Sequence, residues 1–174
     1  MLLYIFDKLD QYLEIFSVTV MTIAMAAATL AAFVNVVLRY VFNASLTWAA
    51  DLTSSLFIWS ALFGAAYGFK IGMHLGVTVV IQKLNPKVAK WVLSGTLVII
   101  LTYLICLVFW GYDFVKFNYD MEMMSVDLNV PYWIIYLCVP ISMIISCYQV
   151  LLKLIKTIKV PGAEFSYDMV MKEQ

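Results

Sequence analysis

The chain has 174 residues, of which 64% are hydrophobic and 13% are charged, and its mean hydropathy is +0.94. This composition excludes an ordinary soluble domain and indicates an integral membrane protein. The formal net charge is zero, which argues against a nucleic-acid partner, because phosphate binding draws on a surplus of Lys and Arg.

The N-terminal stretch MLLYIFDKLDQYLEIF has the pattern of an amphipathic helix. Its apolar residues recur at helical spacing, whereas Asp7, Lys8, Asp10, Gln11 and Glu14 occupy the opposite arc. The pattern predicts an interfacial helix on the cytoplasmic leaflet, with a plain extension of the first span as the alternative. A basic leader and a small-residue cleavage site are missing, so we expect this stretch to stay on the mature protein.

Four long segments are almost free of charge, and each is long enough to cross the hydrocarbon core. They predict an all-α membrane protein with four transmembrane helices at about residues 15–38, 50–69, 90–112 and 130–152. Pro140 lies inside the fourth span, where the missing N–H and the ring should bend the helix.

The remaining segments complete a single membrane domain over residues 1–160. The second loop, KIGMHLGVTVVIQKLNPKVAK, is too short and too interrupted by polar residues to span the bilayer but has an apolar side, which predicts a second short surface helix. Residues 161–174 show no sustained period and predict a cytoplasmic tail.

The distribution of basic residues predicts the orientation. Nine of the eleven lie in the N-terminal segment, the second loop or the C-terminal tail, and only Arg39 and Lys116 lie on the other side. By the positive-inside rule both termini are expected in the cytoplasm. The acidic loop with Asp113, Asp120, Glu122 and Asp127 then faces outward.

The predicted spans offer little for catalysis or cofactor binding. The charge-free windows that define them, residues 15–38, 52–69, 91–112 and 128–152, contain no Asp, Glu, Lys, Arg or His. The strongest polar group there is Asn35, for which we expect a hydrogen bond between helices or to Arg39. The single histidine, His74, has no second ligand candidate nearby, and the three cysteines have neither CxxC spacing nor a neighbouring histidine. We therefore expect no enzyme activity, no catalytic residue, no metal and no cofactor.

Small residues form two stripes that favour close helix packing. Ala24, Ala28 and Ala32 repeat at four-residue spacing in the first span, and the second span has Ala61 with Ala65 and Gly64 with Gly68. In lipid such spacing allows helix backbones to approach. One stripe is expected to pack inside the four-helix unit, which leaves the other for a partner.

A longer motif then gives a family resemblance. The segment RYVFNASLTWAADLTSSLFIWSALFGAAYGFKIGMHLGV resembles the signature of the small membrane subunit of TRAP (tripartite ATP-independent periplasmic) transporters, of the DctQ and SiaQ kind. The family pattern is approximately R-Y-x-F, S-x-x-W followed by acidic residues, F-x-W, a small-residue cluster and G-x-H. The matching residues are Arg39, Tyr40, Phe42, Ser45, Trp48, Asp51, Phe57, Trp59, Gly64, Ala65, Ala66, Gly72 and His74. One departure is that Ala49-Ala50-Asp51 offers one carboxylate where the family often has two.

The resemblance implies a non-catalytic partner of a large membrane subunit in the bacterial inner membrane. In such systems the large subunit carries the sodium and substrate sites, and a periplasmic binding protein delivers an organic acid. This chain would act as a scaffold for the large subunit and help to dock the binding protein. Whole-sequence likeness favours sialic acid as the substrate, with C4-dicarboxylates next.

Two other functions stay open at the level of sequence. One is a self-sufficient transporter or channel formed by homo-oligomerisation, which would need a polar line through Asn35, Ser54 and Ser55. The other, a membrane-bound enzyme or redox subunit, is disfavoured because paired histidines or carboxylates are missing.

The predicted partner interface follows from the motif residues. We expect Arg39 and Asp51 to pin the outer corner of the first two helices, against each other or against the large subunit, because guanidinium suits fixed hydrogen bonding. The full set of predicted interface residues is Arg39, Tyr40, Ser45, Trp48, Asp51, Trp59, Gly64 and His74.

Overall fold

The computed structural model describes residues 2–71 and 85–159, and side chains from residue 8 onward with the exception of Lys87. It contains five helices in this range: α1 at Leu2–Val41, α2 at Thr47–Ile71, α3 at Pro86–Asp120, α4 at Tyr132–Tyr136 and α5 at Cys138–Lys159. The predicted second-loop helix, the tail over residues 161–174 and His74 lie outside the described residues.

Four helical stretches are long and apolar enough to cross a membrane, and they confirm the predicted fold class. They are Lys8–Val41, Thr47–Ile71, Val88–Asp120 and Tyr132–Lys159, the last of which combines α4 and α5. The orientation with both termini in the cytoplasm stays a prediction.

Helix α1 is longer than the first predicted span. It runs for 40 residues without a break, so the N-terminal amphipathic stretch and the span form one helix about 60 Å long. This arrangement corresponds to the alternative of an extended first span. Helix α3 is also longer than predicted, because it continues to Asp120 and carries Asp113 and Lys116 on its last turns.

The fourth span is interrupted where its proline requires it. Leu137 separates α4 from α5, three residues before Pro140. Pro140 cannot donate a backbone hydrogen bond to Tyr136, four residues earlier, so the helical ladder loses a rung at this position.

The spanning helices lie mainly in the order α1, α2, α5, α3, each packing on the next. Helix α5 is the most buried span and α1 the least. One apolar cluster joins α3 to α5 around Leu97, Leu104 and Val150, and a second joins α2 to α5 around Phe63 and Cys138. The arrangement leaves α1 and α3 as edge helices with much of their apolar surface exposed.

Candidate partner interface

The turn between α1 and α2 is fixed by Asn35. Its Oδ1 accepts a hydrogen bond of 3.1 Å from the backbone N–H of Leu46, which ties α1 to the residue before α2. Asn43 in the same turn has a φ of 52°, in the left-handed region that Asn tolerates better than most residues. Asn35 was expected to form a hydrogen bond between helices or to Arg39, and its partner is the backbone N–H of Leu46 in the connecting turn.

The structure does not bring the two charges of this corner together. Asp51 Oδ2 accepts a hydrogen bond of 2.7 Å from the hydroxyl of Ser125, which lies 74 residues further along the chain. Arg39 is exposed, and its guanidinium lies 5.9 Å from the ring centroid of Tyr40. The carboxylate thus holds the loop between α3 and α4, while Arg39 is exposed at the end of α1.

Ser125 was not among the predicted site residues, yet it organises the outer loop. It is 1% exposed, and its Oγ also accepts a hydrogen bond of 3.2 Å from the backbone N–H of Leu128. Its own N–H donates to the carbonyl of Val130, and Met124 pairs with Pro131 in an isolated bridge. No local sequence signal marks a contact over this separation.

Three other predicted interface residues are exposed near the corner. Tyr40 is 76% exposed and Trp48 is 41% exposed, and Ser45 is exposed in the connecting turn. Together with Arg39 they are exposed at the end of α1, in the connecting turn and at the start of α2.

Trp59 and Gly64, by contrast, take part in packing within the chain. The indole Nε1 of Trp59 donates a hydrogen bond of 2.8 Å to the carbonyl of Ile135, and its ring stacks on Phe63 at 5.9 Å. A Cβ atom added at Gly64 would lie 3.1 Å from Sδ of Met21 on α1. Both positions therefore hold the internal helix contacts together.

The two small-residue stripes separate in the way expected. Ala24 and Ala28 are buried at 6% and 0% exposure, within the region where α1 packs on α2. Ala61 and Ala65 of α2 are exposed. Ala24 and Ala28 serve internal packing, as Gly64 does, whereas the Ala61 and Ala65 pair is open on the surface.

A groove of about 830 Å³ runs along α1. Small side chains form part of its lining, and Met25, Leu30 and Phe33, all at least half exposed, form the rest. The Ser60 hydroxyl of α2 donates to the carbonyl of Met21 at 3.0 Å at the edge of the groove. The lining is Met21, Thr22, Met25, Ala26, Thr29, Leu30, Phe33 and Ser60.

The exposed side of α3 differs from this groove. It carries large side chains, among them Trp91, Ile99 and Trp110 at 80%, 71% and 68% exposure. Large apolar and aromatic side chains suit contact with lipid, and small ones suit close helix contact. Helix α1 also exposes large apolar side chains, such as Ile23 and Phe33 at 63% and 65%, so the groove is the feature that sets the α1 edge apart.

A charge cluster ties α1 to α2 at the other end of the helices. Lys70, which is 6% exposed, forms ion pairs with Asp10 at 2.8 Å and Glu14 at 2.9 Å. Lys153 of α5, 3% exposed, lies within the electrostatic range of Asp10. The amphipathic pattern put Asp10 and Glu14 on the polar arc of the helix and did not pair them with Lys70, although their four-residue spacing and the basic end of α2 were a usable signal.

Within the described residues no group of three or more His, Cys, Asp or Glu side chains could hold a metal ion. The described residues of this surface can pack against a partner, form hydrogen bonds and form ion pairs.

Comparison with known families assigns the chain. The family model for the DctQ component of tripartite ATP-independent periplasmic transporters matches residues 28–160. The chain belongs to this family. The match contains the turn between α1 and α2 and part of the groove, from Thr29 onward, and it confirms the resemblance carried by the RYVF motif.

Curated relatives agree with this assignment. The chain is 37% identical over 109 residues to the C4-dicarboxylate TRAP transporter small permease protein DctQ of Rhodobacter capsulatus, covering 62% of this chain and 47% of the relative. It is 34% identical to the protein of the same name from Vibrio cholerae, covering 49% of this chain and 37% of the relative. The chain therefore spans about half or less of these two proteins. A putative TRAP transporter small permease protein of Haemophilus influenzae is 28% identical, with 86% of this chain and 89% of the relative covered.

The family and the four spans make the chain a multi-pass membrane protein and a component of a TRAP transporter.

Proposed function

We propose that this chain is the small, non-catalytic membrane subunit of a sodium-coupled TRAP transporter for an organic acid in the bacterial inner membrane. It braces a large transport subunit and contributes to the docking of a periplasmic binding protein. The observation that carries the proposal is the open edge formed by α1 and α2 in a chain of this family, with a groove of about 830 Å³ and exposed small residues beside it.

The polar groups of the spans support a scaffold rather than a transport path. Asn35 is engaged by Leu46, and the hydroxyls of Ser54 and Ser55 donate to the carbonyls of Ala50 and Asp51 in their own helix. A self-sufficient homo-oligomeric channel would need these groups to line a pore. Their local hydrogen bonds favour the scaffold, in which another subunit carries the solute.

The groove on α1 is the proposed seat of the large subunit. Helices associate in lipid through close packing at small residues, and Thr22, Ala26 and Thr29 provide recesses between the larger side chains. The exposed pair Ala61 and Ala65 on α2 adds a second small-residue surface to the same two helices. Arg39, Tyr40, Ser45 and Trp48 extend the proposed contact to the outer corner.

The interface is tested by filling the groove. Ala26→Phe should strongly reduce recovery of the large subunit when the small subunit is purified from co-expressing cells. Gly95→Phe is the matched control, because Gly95 is exposed on α3 and an added Cβ meets nothing within 4 Å. If both variants recover the large subunit as well as the unmodified chain does, the groove is not the interface.

The proposed substrate is inferred from proteins similar to this chain, because the substrate site is proposed to lie on the large subunit. The printed names of the Rhodobacter and Vibrio relatives favour a C4-dicarboxylate, whereas whole-sequence likeness favoured sialic acid. Sodium-driven uptake of labelled succinate and of labelled sialic acid, measured with the reconstituted complex and its binding protein, decides between them. Uptake of neither compound by an assembled complex would reject both substrates.

A further inference from the structure

At the inner end of α1, acidic side chains face the bundle and large apolar side chains are exposed. This is the reverse of a helix that packs through its apolar residues. In this inner segment, defined as residues 8–16, Asp10 and Glu14 face the bundle and pair with Lys70. Leu9, Tyr12 and Ile15 are exposed at 44%, 69% and 55%. The segment is therefore held to the bundle largely through charge.

The same residues also suit a different environment. An amphipathic helix lies stably in the membrane interface with its apolar arc in lipid and its charged arc in water. The inner segment has both arcs, so detachment onto the membrane surface would return its carboxylates to water and leave Leu9, Tyr12 and Ile15 in the interface. Detachment would also break two apolar contacts: Leu13 packs against the Phe63 cluster, and the ring of Phe16 lies 5.5 Å from that of Phe63.

The docked arrangement carries costs that oppose its ion pairs. Lys70 is almost fully removed from solvent, and desolvation of a charge offsets much of the attraction that it gains. Asp10 Oδ1 and the hydroxyl of Ser17 are buried without a hydrogen-bond partner. Such unsatisfied groups destabilise the state that buries them. The attached and detached states of the inner segment are therefore closer in free energy than the short ion-pair distances imply.

A weak point in α1 lies directly after the inner segment. The run Ser17-Val18-Thr19-Val20 consists of residues with modest helix propensity, three of them β-branched. Helix α1 is continuous here, but modest helix propensity lowers the cost of bending in this run, next to the charge cluster.

We propose that the inner segment of α1 is a latch. Lys70 holds it against α2 through Asp10 and Glu14, and loss of these ion pairs lets it swing about Ser17–Val20 onto the membrane surface. The latch controls whether the inner segment lies against α2 or on the membrane surface. The outer parts of α1 and α2 remain packed in both states.

The test measures a distance in the full chain in lipid nanodiscs. Spin labels are attached to non-natural residues at Tyr12 and Ile158, both exposed, so that the native cysteines stay in place. We expect one main distance in the unmodified chain. Lys70→Gln, and separately Asp10→Asn with Glu14→Gln, should add a population longer by about 10 Å, close to the length of the segment. Combining all three changes should add nothing further, because they remove the same contact.

Two controls separate the latch from general damage. Lys116→Gln removes an exposed lysine at the opposite end of α3 and should leave the Tyr12–Ile158 distance unchanged. A second label pair at Phe57 and Ile144, on α2 and α5, should keep its distance in every variant. The proposal is overturned if Lys70→Gln leaves the first distance unchanged, or if both label pairs shift together, since the change would then be global.

Discussion

Removing the Ser125 hydroxyl should loosen the outer loop and weaken the fold measurably. Ser125→Ala deletes the 2.7 Å hydrogen bond to the Asp51 carboxylate and leaves the Leu128 N–H without its 3.2 Å acceptor. A hydrogen bond to a charged group contributes about 1.5–3 kcal/mol. Asp51 is only partly buried, so water replaces some of the lost interaction. We expect a loss of about 2 kcal/mol in the free energy of unfolding.

The assay is thermal unfolding of the purified chain in detergent. For a chain of this size, about 2 kcal/mol corresponds to a decrease in Tm of roughly 4–8 °C. Ser54→Ala is the matched control, because the Ser54 hydroxyl is exposed and donates only to the carbonyl of Ala50 in its own helix. Asp51→Asn keeps an acceptor and should have a smaller effect than Ser125→Ala. A Tm for Ser125→Ala within about 1 °C of that for Ser54→Ala would refute the reasoning.

Three further outcomes are expected. Gly111→Ala should lower the free energy of unfolding by about 1–3 kcal/mol, because the new Cβ would lie 3.0 Å from Val139 and 3.4 Å from the backbone of Pro140. In the same assay Gly68→Ala, whose Cβ meets nothing within 4 Å, should be neutral or stabilising. Trp59→Phe should lower stability by about 1 kcal/mol through loss of the bond to Ile135, and an unchanged Tm would count against that bond. Arg39→Lys should reduce recovery of the large subunit about fivefold, which corresponds to about 1 kcal/mol for a lost hydrogen bond; equal recovery would make Arg39 a helix-end marker only.

The sequence was sufficient for the fold class because lipid imposes few solutions on a backbone. A charge-free window long enough to cross the bilayer must be a helix. All four predicted spans are helices, and the majority of their predicted ends lie within a few residues of the observed ends. Pro140 likewise predicted the break before α5, since a missing N–H acts locally. The largest errors of extent are the start of the first span and the ends of the third and fourth, where the helix continues beyond the charge-free window because a helix does not need lipid to persist.

Contacts between distant residues could not be predicted from the pattern. Asp51 was expected to contact Arg39 or a partner, but its hydrogen-bond donor is Ser125, and nothing local identifies a partner 74 residues away. Asp10 and Glu14 fit a solvated arc as well as they fit an ion pair with Lys70. Choosing between them requires knowing which face of α1 meets α2, and this depends on the tertiary packing of Ala24 and Ala28.

The motif residues divide into two groups for the same reason. Trp59 and Gly64 match the family pattern and lie at contacts between this chain's own helices. Arg39, Tyr40 and Trp48 match it at exposed positions. A motif read in one dimension does not separate internal packing from a partner surface, whereas side-chain exposure does.

The central claim, that this chain is a scaffold and not a transporter by itself, is tested most directly by reconstitution. Liposomes with an imposed sodium gradient would contain the purified chain alone, the large subunit alone, or both, each supplied with the binding protein and labelled organic acid. We expect no uptake with the chain alone and full uptake only with both membrane subunits. Sodium-driven uptake by this chain without the large subunit would contradict the claim.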